Sequence, residues 1–462
     1  MTIGFGTSGL RGPVADLTDA ICAANARAFL QAVPHSGLLM LARDLRPSSP
    51  RISAAVAAGA ASLGVAVRDC GTLPTPALAL AAMAAGVPAI MVTGSHIPAD
   101  RNGLKFFTAR GEITKADETA IRAALRPPPP MRPVCPETDA AAGAGYLARY
   151  GSAFARDTLA GMRLGLYEHS SVARDLLAGL LAALGAEVVP LGRSTTFVPL
   201  DTEAIDTCTA ARLAGWAATL GLDAIVSTDG DGDRPLVADA AGHVIAGDIL
   251  GTLTAAALGA DIVVTPVTSN SLIETSGRFA RTRRTRIGSP HVIAAMAEAM
   301  ARPGPRVAGF EANGGFLLGY TAETPAGRIA PLMTRDAVLP ILVPLAEAAR
   351  RRLPLSALVA ELPGRRTASD RLAGIAPAQG EALIQRLVDD PAARARFFAA
   401  AGPEAAIDLT DGLRLRFTSG AVAHLRPSGN APEFRCYAEA EDQEAADHLL
   451  GTTLDATRRA LG

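Results

Sequence analysis

The sequence predicts an α/β protein of three tandem α/β domains with mainly parallel sheets, followed by a smaller C-terminal α+β domain. Three observations lead to this fold class. Apolar runs typical of strands alternate with Ala- and Leu-rich runs typical of helices. A proline-rich segment interrupts this alternation, and the C-terminal part shows a hairpin pattern instead. The chain of 462 residues is long enough to bury several hydrophobic cores.

The N-terminal part contains five alternating strand and helix patterns in succession. Strands are predicted over 38–42, 65–68 and 89–92, and helices over 53–63 and 76–85. A prolyl segment over 126–139 then indicates a stiff, extended linker. The strand–helix–strand rhythm predicts a mainly parallel sheet.

The same rhythm returns twice and then changes. The second round has strands over 163–167, 187–190 and 222–227, with helices over 173–184 and around Trp216. The third round has strands over 262–265 and 306–310, with helices over 290–300 and 339–352. A hairpin over 412–417 and 421–426 and a strand over 434–438 follow, which favours an antiparallel sheet. We therefore predict domains at 1–140, 141–246, 247–361 and 362–462.

Composition argues against several classes of protein. The formal net charge is -1, so there is no basic surplus for nucleic acid, and no basic amphipathic stretch suggests a membrane surface. The N-terminus lacks the pattern of a signal peptide, and the five cysteines are widely spaced without a CxxC pair. We expect a cytoplasmic protein with buried, reduced thiols. The sequence allows either a monomer or a homodimer.

The segment Ser227–Arg234 reads Ser-Thr-Asp-Gly-Asp-Gly-Asp-Arg and places three carboxylates at alternate positions. In an extended segment, Asp229, Asp231 and Asp233 would point the same way, and their mutual repulsion calls for a cation. All-oxygen ligands favour Mg²⁺, Mn²⁺ or Ca²⁺. An EF-hand loop is excluded because its sixth position would be Arg234, where glycine is required.

A serine loop follows the predicted strand 89–92 and reads Thr-Gly-Ser-His at residues 93–96. Gly94 would permit a sharp turn that exposes the Ser95 hydroxyl, and His96 follows directly. The position just beyond a strand end is where open α/β sheets place their ligands. Lys105 lies slightly further along and is a candidate for proton transfer or phosphate neutralisation.

Three further loops carry groups suited to binding a phosphorylated sugar. The turn 426–430 offers hydrogen-bond donors for a phosphate. The segment 309–315 follows a strand and could bind sugar hydroxyls. The glycine-rich segment 6–12 carries one arginine and is not a Walker A loop. The candidate residues are Arg426, Ser428, Gly429 and Asn430 in the first loop, Glu311 and Asn313 in the second, and Arg11 in the third.

These five segments, in this order, resemble the α-D-phosphohexomutase family, which contains phosphoglucomutases, phosphomannomutases and phosphoglucosamine mutases. The resemblance implies four domains around a central cleft and a serine, Ser95, that carries a phosphoryl group. It implies that Ser95 and the three aspartates bind Mg²⁺, and that Arg234 assists substrate binding.

The resemblance also assigns roles to the remaining loops. Arg11 and Lys105 would serve acid–base and phosphate roles, and His96, beside the serine, is a further catalytic candidate. Glu311 and Asn313 would recognise the sugar, and the loop from Arg426 would grip the phosphate that is not transferred. The implied reaction interconverts hexose 1-phosphate and hexose 6-phosphate through a hexose 1,6-bisphosphate, which also serves as activator.

Several positions depart from the family pattern. Ile97 replaces an asparagine in the serine loop, and the phosphate loop has Asn430-Ala431-Pro432 where Thr-Glu-Pro is frequent. The sugar loop often reads Glu-x-Ser-Gly-His, but here Asn313 and Gly315 stand in the third and fifth positions. The histidine role is therefore vacant or has moved, for example to His291.

The opening Gly-Thr-Ser-Gly-Leu-Arg at residues 6–11 resembles phosphoglucosamine mutases less than the other members, so the resemblance implies mannose phosphates as substrates, with glucose phosphates also accepted. Three alternatives remain open: a phosphoglucosamine mutase, a metal-dependent sugar-phosphate phosphatase, and a sugar-phosphate-binding protein without catalytic activity.

Overall fold

The first sheet combines a parallel core with antiparallel strands along one edge. The computed structural model describes residues 3–6, 9–428 and 433–461. The strands of this sheet are β1 (Gly4–Phe5), β2 (Leu10–Pro13), β3 (Leu38–Arg43), β4 (Ala66–Thr72), β5 (Ala89–Val92), β6 (Arg101–Thr108), β7 (Gly111–Glu112) and β8 (Glu137–Thr138). The helices are α1 (Asp19–Ala32), α2 (Ser49–Ala61), α3 (Thr75–Ala85) and α4 (Lys115–Ala124). Strands β5, β3, β4 and β8 are parallel, whereas β6, β2 and β1 add antiparallel pairs.

The second sheet is smaller and has the same kind of core. Its helices and strands are α5 (Ala141–Gly151), β9 (Arg163–Tyr167), α6 (Arg174–Ala183), β10 (Glu187–Leu191), α7 (Thr207–Leu220), β11 (Ala224–Thr228), β12 (Pro235–Ala238) and β13 (Val244–Ile245). The strand order is β10-β9-β11-β12-β13, with the first three strands parallel. All five residues of β11 are buried, as expected for the centre of a sheet covered on both faces.

The third sheet repeats that arrangement. Its helices and strands are α8 (Gly247–Ala257), β14 (Ile262–Pro266), α9 (Leu272–Thr275), β15 (Arg281–Thr285), α10 (Ser289–Ala299), β16 (Val307–Phe310), β17 (Phe316–Leu318), β18 (Ala322–Thr324), β19 (Gly327–Ile329), β20 (Leu332–Asp336), α11 (Val338–Arg351) and α12 (Leu355–Ala360). The order is β15-β14-β16-β17-β20. Strands β18 and β19 form a separate two-stranded ribbon.

The three sheets share one topological feature that positions the functional loops. In each, a central strand of the parallel core turns back into an antiparallel partner, giving the hairpins β5–β6, β11–β12 and β16–β17. Three of the predicted functional segments are the connections of these hairpins: the serine loop (residues 93–100), the aspartate loop (229–234) and the loop predicted to bind sugar, here called the sugar-type loop (311–315). All three loops therefore leave the carboxyl end of a buried parallel strand, where ligand sites form in α/β sheets.

The C-terminal unit is an antiparallel sheet with helices and has its own apolar core. Its elements are β21 (Arg366–Ala373), α13 (Pro377–Asp389), α14 (Pro391–Phe397), a short 3₁₀ turn (Ala399–Ala401), β22 (Glu404–Asp408), β23 (Leu413–Phe417), β24 (Val422–Pro427), β25 (Glu433–Ala440) and α15 (Gln443–Leu461). The strand order is β21-β25-β24-β23-β22, and every pair is antiparallel.

The predicted fold class is confirmed, with two differences in detail. The sheets are parallel only in their cores, because each chain path turns back by a hairpin at the site loop. The predicted linker 126–139 has no regular secondary structure over residues 126–136 and ends in β8, which pairs with β4. The pairing is local, since only two residues on each strand take part. The domain boundaries at 140, 246 and 361 stay predictions.

Two other expectations meet the structure with different results. Within the described ranges, the helices are either too short or too polar to cross a lipid bilayer. All five cysteines are free thiols, but the expectation of burial is wrong for Cys135 and Cys208, which are exposed.

Buried polar contacts join the units to one another. Thr75 at the start of α3 donates to Asp231 Oδ2 at 2.6 Å, linking the first and second units. The carboxylate of Asp336 on β20 accepts hydrogen bonds from Tyr146 and Tyr150 of α5, linking the second and third. Because these groups are buried, their partners hold the units in a defined relation.

We expect the protein to lose stability as the pH falls from about 6.5 towards about 4, because two buried histidines resist protonation in the folded state. Nε2 of His169 lies 2.8 Å from the Thr228 carbonyl oxygen, and Nε2 of His424 lies 2.6 Å from that of Asp411. Burial lowers the pKa of each to about 4. An unfolded histidine has a pKa near about 6.5, so the unfolded chain takes up protons first. At about pH 5 this costs up to about 2 kcal/mol per histidine.

Denaturant unfolding at about pH 7.5 and about pH 5 measures this effect. The double variant His169→Gln/His424→Gln is expected to lose the part of the pH dependence that these two histidines cause, so its slope should be smaller than that of the wild type, while His243→Gln, at an exposed position, should keep the wild-type slope. Equal pH dependence in the wild type and the double variant would contradict the interpretation.

Candidate active site

The serine loop holds Ser95 in a buried and sterically unfavourable conformation. Ser95 has a φ of 55°, in the left-handed region that residues with a Cβ rarely adopt. Its hydroxyl donates to Asp229 Oδ2 at 2.5 Å, and its backbone N–H donates to Thr93 Oγ1 at 2.8 Å. His96 Nδ1 lies 3.4 Å from the same hydroxyl. The loop therefore aims Ser95 at the aspartate cluster, which brings these two motifs together.

A buried arginine that the sequence analysis missed fixes this loop. The Arg46 guanidinium donates to the carbonyl oxygens of four residues between positions 95 and 101, at 2.6–2.9 Å: Ser95, Ile97, Pro98 and Arg101. Its Nε donates to Asp44 Oδ2 at 3.0 Å, and that oxygen also accepts from Thr93 Oγ1 at 2.8 Å. The pattern Asp44-Leu45-Arg46 just after a strand was the available signal, but it does not show which carbonyls lie within reach.

Gly94 has a different role from the one predicted. The positive φ belongs to Ser95, whereas a Cβ at Gly94 would lie 2.6 Å from Cζ of Arg46. Glycine is therefore needed here because the Arg46 side chain passes against the loop backbone. The loop is shaped by this packing more than by backbone freedom at residue 94.

We expect Gly94→Ala to displace Arg46, which should destabilise the protein by about 1–3 kcal/mol and lower turnover at least about tenfold. Denaturant unfolding and steady-state kinetics measure the two effects. Gly145→Ala is a matched control, because Gly145 lies in α5 and a Cβ there meets no atom within 4 Å. A Gly94→Ala variant as stable and active as Gly145→Ala would show that Arg46 can move without consequence.

The three aspartates converge through a hairpin loop, so the prediction of an extended segment is wrong. The Asp229 N–H donates to the Arg234 carbonyl at 3.0 Å, closing the loop between β11 and β12. Asp229 Oδ1 accepts the N–H groups of Asp233 and Arg234 at 3.1 and 3.2 Å. Gly232 takes a φ of 74°, which a turn this tight requires. All three carboxylates are buried, with one oxygen of each within 4.8 Å of the others.

Cations surround the carboxylates and offset much of their charge. Lys105 Nζ donates to Asp231 Oδ2 and to Asp233 Oδ2, both at 2.6 Å. Arg335, another residue that the sequence analysis missed, lies 2.8 Å from Asp233 Oδ2 through Nη2. Arg234 lies within 4.0 Å of Asp229 and Asp233. Lys105 was predicted to lie in a turn near the serine loop; it lies instead on β6, in direct contact with the aspartates.

Burial and charge shift the pKa values of these groups. Burial, reinforced by Asp231 and Asp233, raises the pKa of Asp229 well above its ordinary value. Burial also disfavours ionised Asp231, but the Lys105 ammonium outweighs it and lowers the pKa of Asp231. Arg11 is half-buried, and its pKa falls to about 10 because of burial and the nearby Arg234 and Arg335 cations. Arg11 thus belongs to the same cluster.

His96 responds to the same surroundings. Burial and the cations of Arg234 and Arg11 lower the pKa of His96 well below its ordinary value. The imidazole is therefore neutral near pH 7 and able to accept a proton. Its Nε2 lies 3.9 Å from Asp201 Oδ2 on the opposite side from Ser95.

The acidic cluster has the oxygen ligands of a divalent-cation site, and some of these oxygens have no other partner among the described residues. Asp231 Oδ1 and Asp233 Oδ1 are buried and have no hydrogen-bond partner within the described part of the chain. Buried carboxylate oxygens without partners are costly unless a cation binds them. With Asp229 alongside, the three residues fit a metal that prefers oxygen ligands.

The sugar-type loop lies against this cluster. Glu311 is buried and contacts Arg335 Nη1 through Oε2 at 3.0 Å. The loop closes through the Glu311 N–H, which donates to the Gly315 carbonyl at 3.2 Å. Asn313 Oδ1 accepts the Gly315 N–H at 3.1 Å, so this side-chain oxygen shapes the loop itself. His291, suggested as a replacement for the missing histidine, lies at the start of α10 and not in this loop.

The predicted phosphate loop belongs to the C-terminal sheet. Arg426 near the end of β24 lies 3.7 Å from Asp411 Oδ1, and the buried Ser428 donates its N–H to the Glu433 carbonyl at 2.8 Å. The predicted residues Gly429 and Asn430 lie outside the described residues. A cavity of about 400 Å³ separates this sheet from the second and third units, and its walls include Glu203, Ala312, Arg414, His424 and Tyr437.

Comparison with known proteins identifies the family. Residues 2–127, 239–365 and 383–455 match the family descriptions phosphoglucomutase/phosphomannomutase α/β/α domain I, α/β/α domain III and C-terminal domain. The chain is 44% identical to a phosphomannomutase of Sinorhizobium fredii, with 97% of this chain and 98% of the relative covered. It is also 44% identical to a phosphomannomutase of Salmonella muenchen, with 100% and 96% covered.

A solved structure shows the same fold. It is a phosphoglucomutase/phosphomannomutase family protein from Burkholderia thailandensis, with a TM-score of 0.74, 23% identity, and 98% and 96% of the two chains covered. The fold and the relatives define the class of this protein, an isomerase that acts on phosphorylated hexoses. The chain belongs to the phosphoglucomutase/phosphomannomutase family.

Proposed function

We propose that the protein interconverts mannose 1-phosphate and mannose 6-phosphate, also accepts the glucose phosphates, and works through phosphorylated Ser95. One observation carries this proposal. The Ser95 hydroxyl lies 2.5 Å from Asp229, inside a buried cluster where carboxylates and arginines surround the same point. A serine so placed is suited to accept and donate a phosphoryl group. The relatives named phosphomannomutase support the choice of sugar.

The chain's own residues account for the transfer chemistry. A hydroxyl of the bound sugar attacks the phosphorus on Ser95, so that a new sugar O–P bond forms while the Ser95 Oγ–P bond breaks. The proton of that hydroxyl passes to Ser95 Oγ by way of His96 or Lys105, both of which lie beside the site. Arg11 and Arg234 stabilise the charge on the transferring group.

A magnesium ion would be held by Asp229, Asp231, Asp233 and an oxygen of phosphorylated Ser95. When bound, it supplies positive charge that stabilises the transferring phosphoryl group. Glu311 and Asn313 would recognise the sugar, while Arg426, Ser428, Gly429 and Asn430 would hold its second phosphate.

The product of the first transfer is a hexose 1,6-bisphosphate. It must reverse its orientation within the cleft and then transfer its other phosphate to Ser95. We expect the site to retain this intermediate and to exclude water, because hydrolysis would leave Ser95 without its phosphoryl group. A trace of the bisphosphate would restore that group and act as activator.

The test is a mutase assay on mannose 1-phosphate and glucose 1-phosphate, with Mg²⁺ and a trace of hexose 1,6-bisphosphate. We expect formation of the 6-phosphate, faster with mannose, and its loss after chelation of the metal. A parallel assay measures inorganic phosphate. Release of phosphate without isomerisation would identify a phosphatase instead, and turnover of glucosamine phosphate alone would identify a phosphoglucosamine mutase. If the protein binds one of these sugar phosphates tightly but converts none of them, it is a sugar-phosphate-binding protein without catalytic activity.

A further inference from the structure

Arg335 connects two loops that come from different sheets. It lies on β20 and is buried, with a relative exposure of 3%. Its Nη1 donates to Glu311 Oε2 at 3.0 Å, and its Nη2 lies 2.8 Å from Asp233 Oδ2. Glu311 belongs to the sugar-type loop and Asp233 to the aspartate loop. One guanidinium therefore spans the gap between them.

Gly315 makes room for this arginine. A Cβ at Gly315 would lie 2.9 Å from both Cγ and Cδ of Arg335, and 3.0 Å from the Asp233 carbonyl oxygen. Contacts this short to a buried stem cannot be relieved without moving Arg335 away from one of its carboxylates. Gly315 is also the position at which the family pattern often has a histidine. In this chain the missing side chain and the buried arginine are complementary.

We propose that Arg335, which fits because Gly315 has no side chain, is the positioning residue that orients Glu311 for the sugar, and that its charge beside Asp233 limits the affinity of the aspartate cluster for a metal. The proposal rests on the proposed mutase function. A planar guanidinium presents separate N–H groups in fixed directions, so it can hold two carboxylates at once. A lysine offers the same charge from a single nitrogen and cannot span both positions in the same way.

The two ends of Arg335 have different consequences. At Glu311, the ion pair keeps a buried carboxylate in one orientation, which should strengthen binding of the sugar hydroxyls. At Asp233, Arg335 occupies Oδ2 and leaves Oδ1, which has no hydrogen-bond partner in the described ranges, to face a cation. Its positive charge also opposes a metal at that point, because like charges repel at short range.

The test compares Arg335→Met, Arg335→Lys and Gly315→Ala in two assays. We expect KM for mannose 1-phosphate to rise about tenfold or more in all three, with a smaller change in kcat, because orientation of Glu311 is lost. Calorimetric titration with Mg²⁺, in the absence of any sugar, gives the second readout. Arg335→Met should bind Mg²⁺ about fivefold more tightly, because an opposing charge is gone. Arg335→Lys and Gly315→Ala keep the charge and should stay near the wild-type affinity.

Arg394→Met serves as the matched control, since Arg394 is also a buried arginine, paired with Glu404 in the C-terminal unit. It should lose stability but keep wild-type KM and metal affinity. A wild-type KM for Arg335→Met, or a metal affinity that is unchanged or lower, would overturn the proposal. If the wild type converts neither sugar, the proposed function fails, whereas the contrast in metal affinity between Arg335→Met and Gly315→Ala still decides the role of Arg335.

Discussion

Replacing Ser95 with alanine is expected to lower mutase turnover by at least about a thousandfold, because the group that carries the phosphoryl is removed. The change should leave the fold intact. Alanine occupies less space than serine, and the unfavourable φ of 55° is already present in the wild type. The lost hydrogen bond to Asp229 should cost only about 1 kcal/mol.

Two measurements check this expectation together. The first is formation of mannose 6-phosphate from mannose 1-phosphate, and the second is transfer of labelled phosphate from hexose 1,6-bisphosphate to the protein. Both should vanish in Ser95→Ala. Ser53→Ala is the matched control, because Ser53 is buried in α2 and its hydroxyl has no hydrogen-bond partner among the described residues. Label on the Ser95→Ala protein would show that another residue carries the phosphoryl group.

Replacing Arg46 with methionine is expected to destabilise the protein by about 3–5 kcal/mol and to lower turnover by about a hundredfold. The stability loss arises because Asp44 becomes a buried carboxylate without its cation, and the carbonyls of the serine loop lose their donor. The loss of turnover arises because Ser95 is no longer held at the aspartate cluster. Denaturant unfolding and steady-state kinetics measure the two effects.

A second variant separates charge from positioning. In Asp44→Asn/Arg46→Met no unpaired charge is left, so much of the stability should return while turnover stays low. Arg43→Met is the matched control, because Arg43 is the last residue of β3, just before Asp44 and Arg46, and pairs with Asp69, but both side chains are partly exposed. It should cost about 1 kcal/mol or less. Full turnover in the double variant would mean that the loop holds its shape without Arg46.

Much of the fold was predictable because its signals are local. The alternation of apolar strands with Ala- and Leu-rich helices predicted the parallel cores, and the elements β3, α3, β5 and α11 lie within a few residues of their predicted positions. Strand β21 was missed, because its residues are mostly exposed and polar, so no apolar pattern marks it. Its strand character comes from pairing with β25, which is distant in the chain.

In the site, too, the local motifs were predictable from the sequence and the contacts between distant segments were not. The Asp229 cluster and the Ser95 loop were predicted because short motifs place reactive groups at fixed spacing. Their hydrogen-bonded contact joins positions that are 134 residues apart, and the spacing within each motif says nothing about that separation. The phosphate-binding role predicted for the loop of Arg426, Ser428, Gly429 and Asn430 stays a prediction.

By itself the sequence determined the α/β class, the five segments that carry chemical groups, and the oxygen-rich donor set, since each depends on residues close together in the chain. The tertiary structure alone decided which groups surround Ser95. Arg46 and Arg335 look like ordinary charged residues in the sequence, and each gains its partners only where separate segments pack and exclude water. Burial then makes those partners obligatory, because a buried charge must be paired, and it is the fold that chooses the partner.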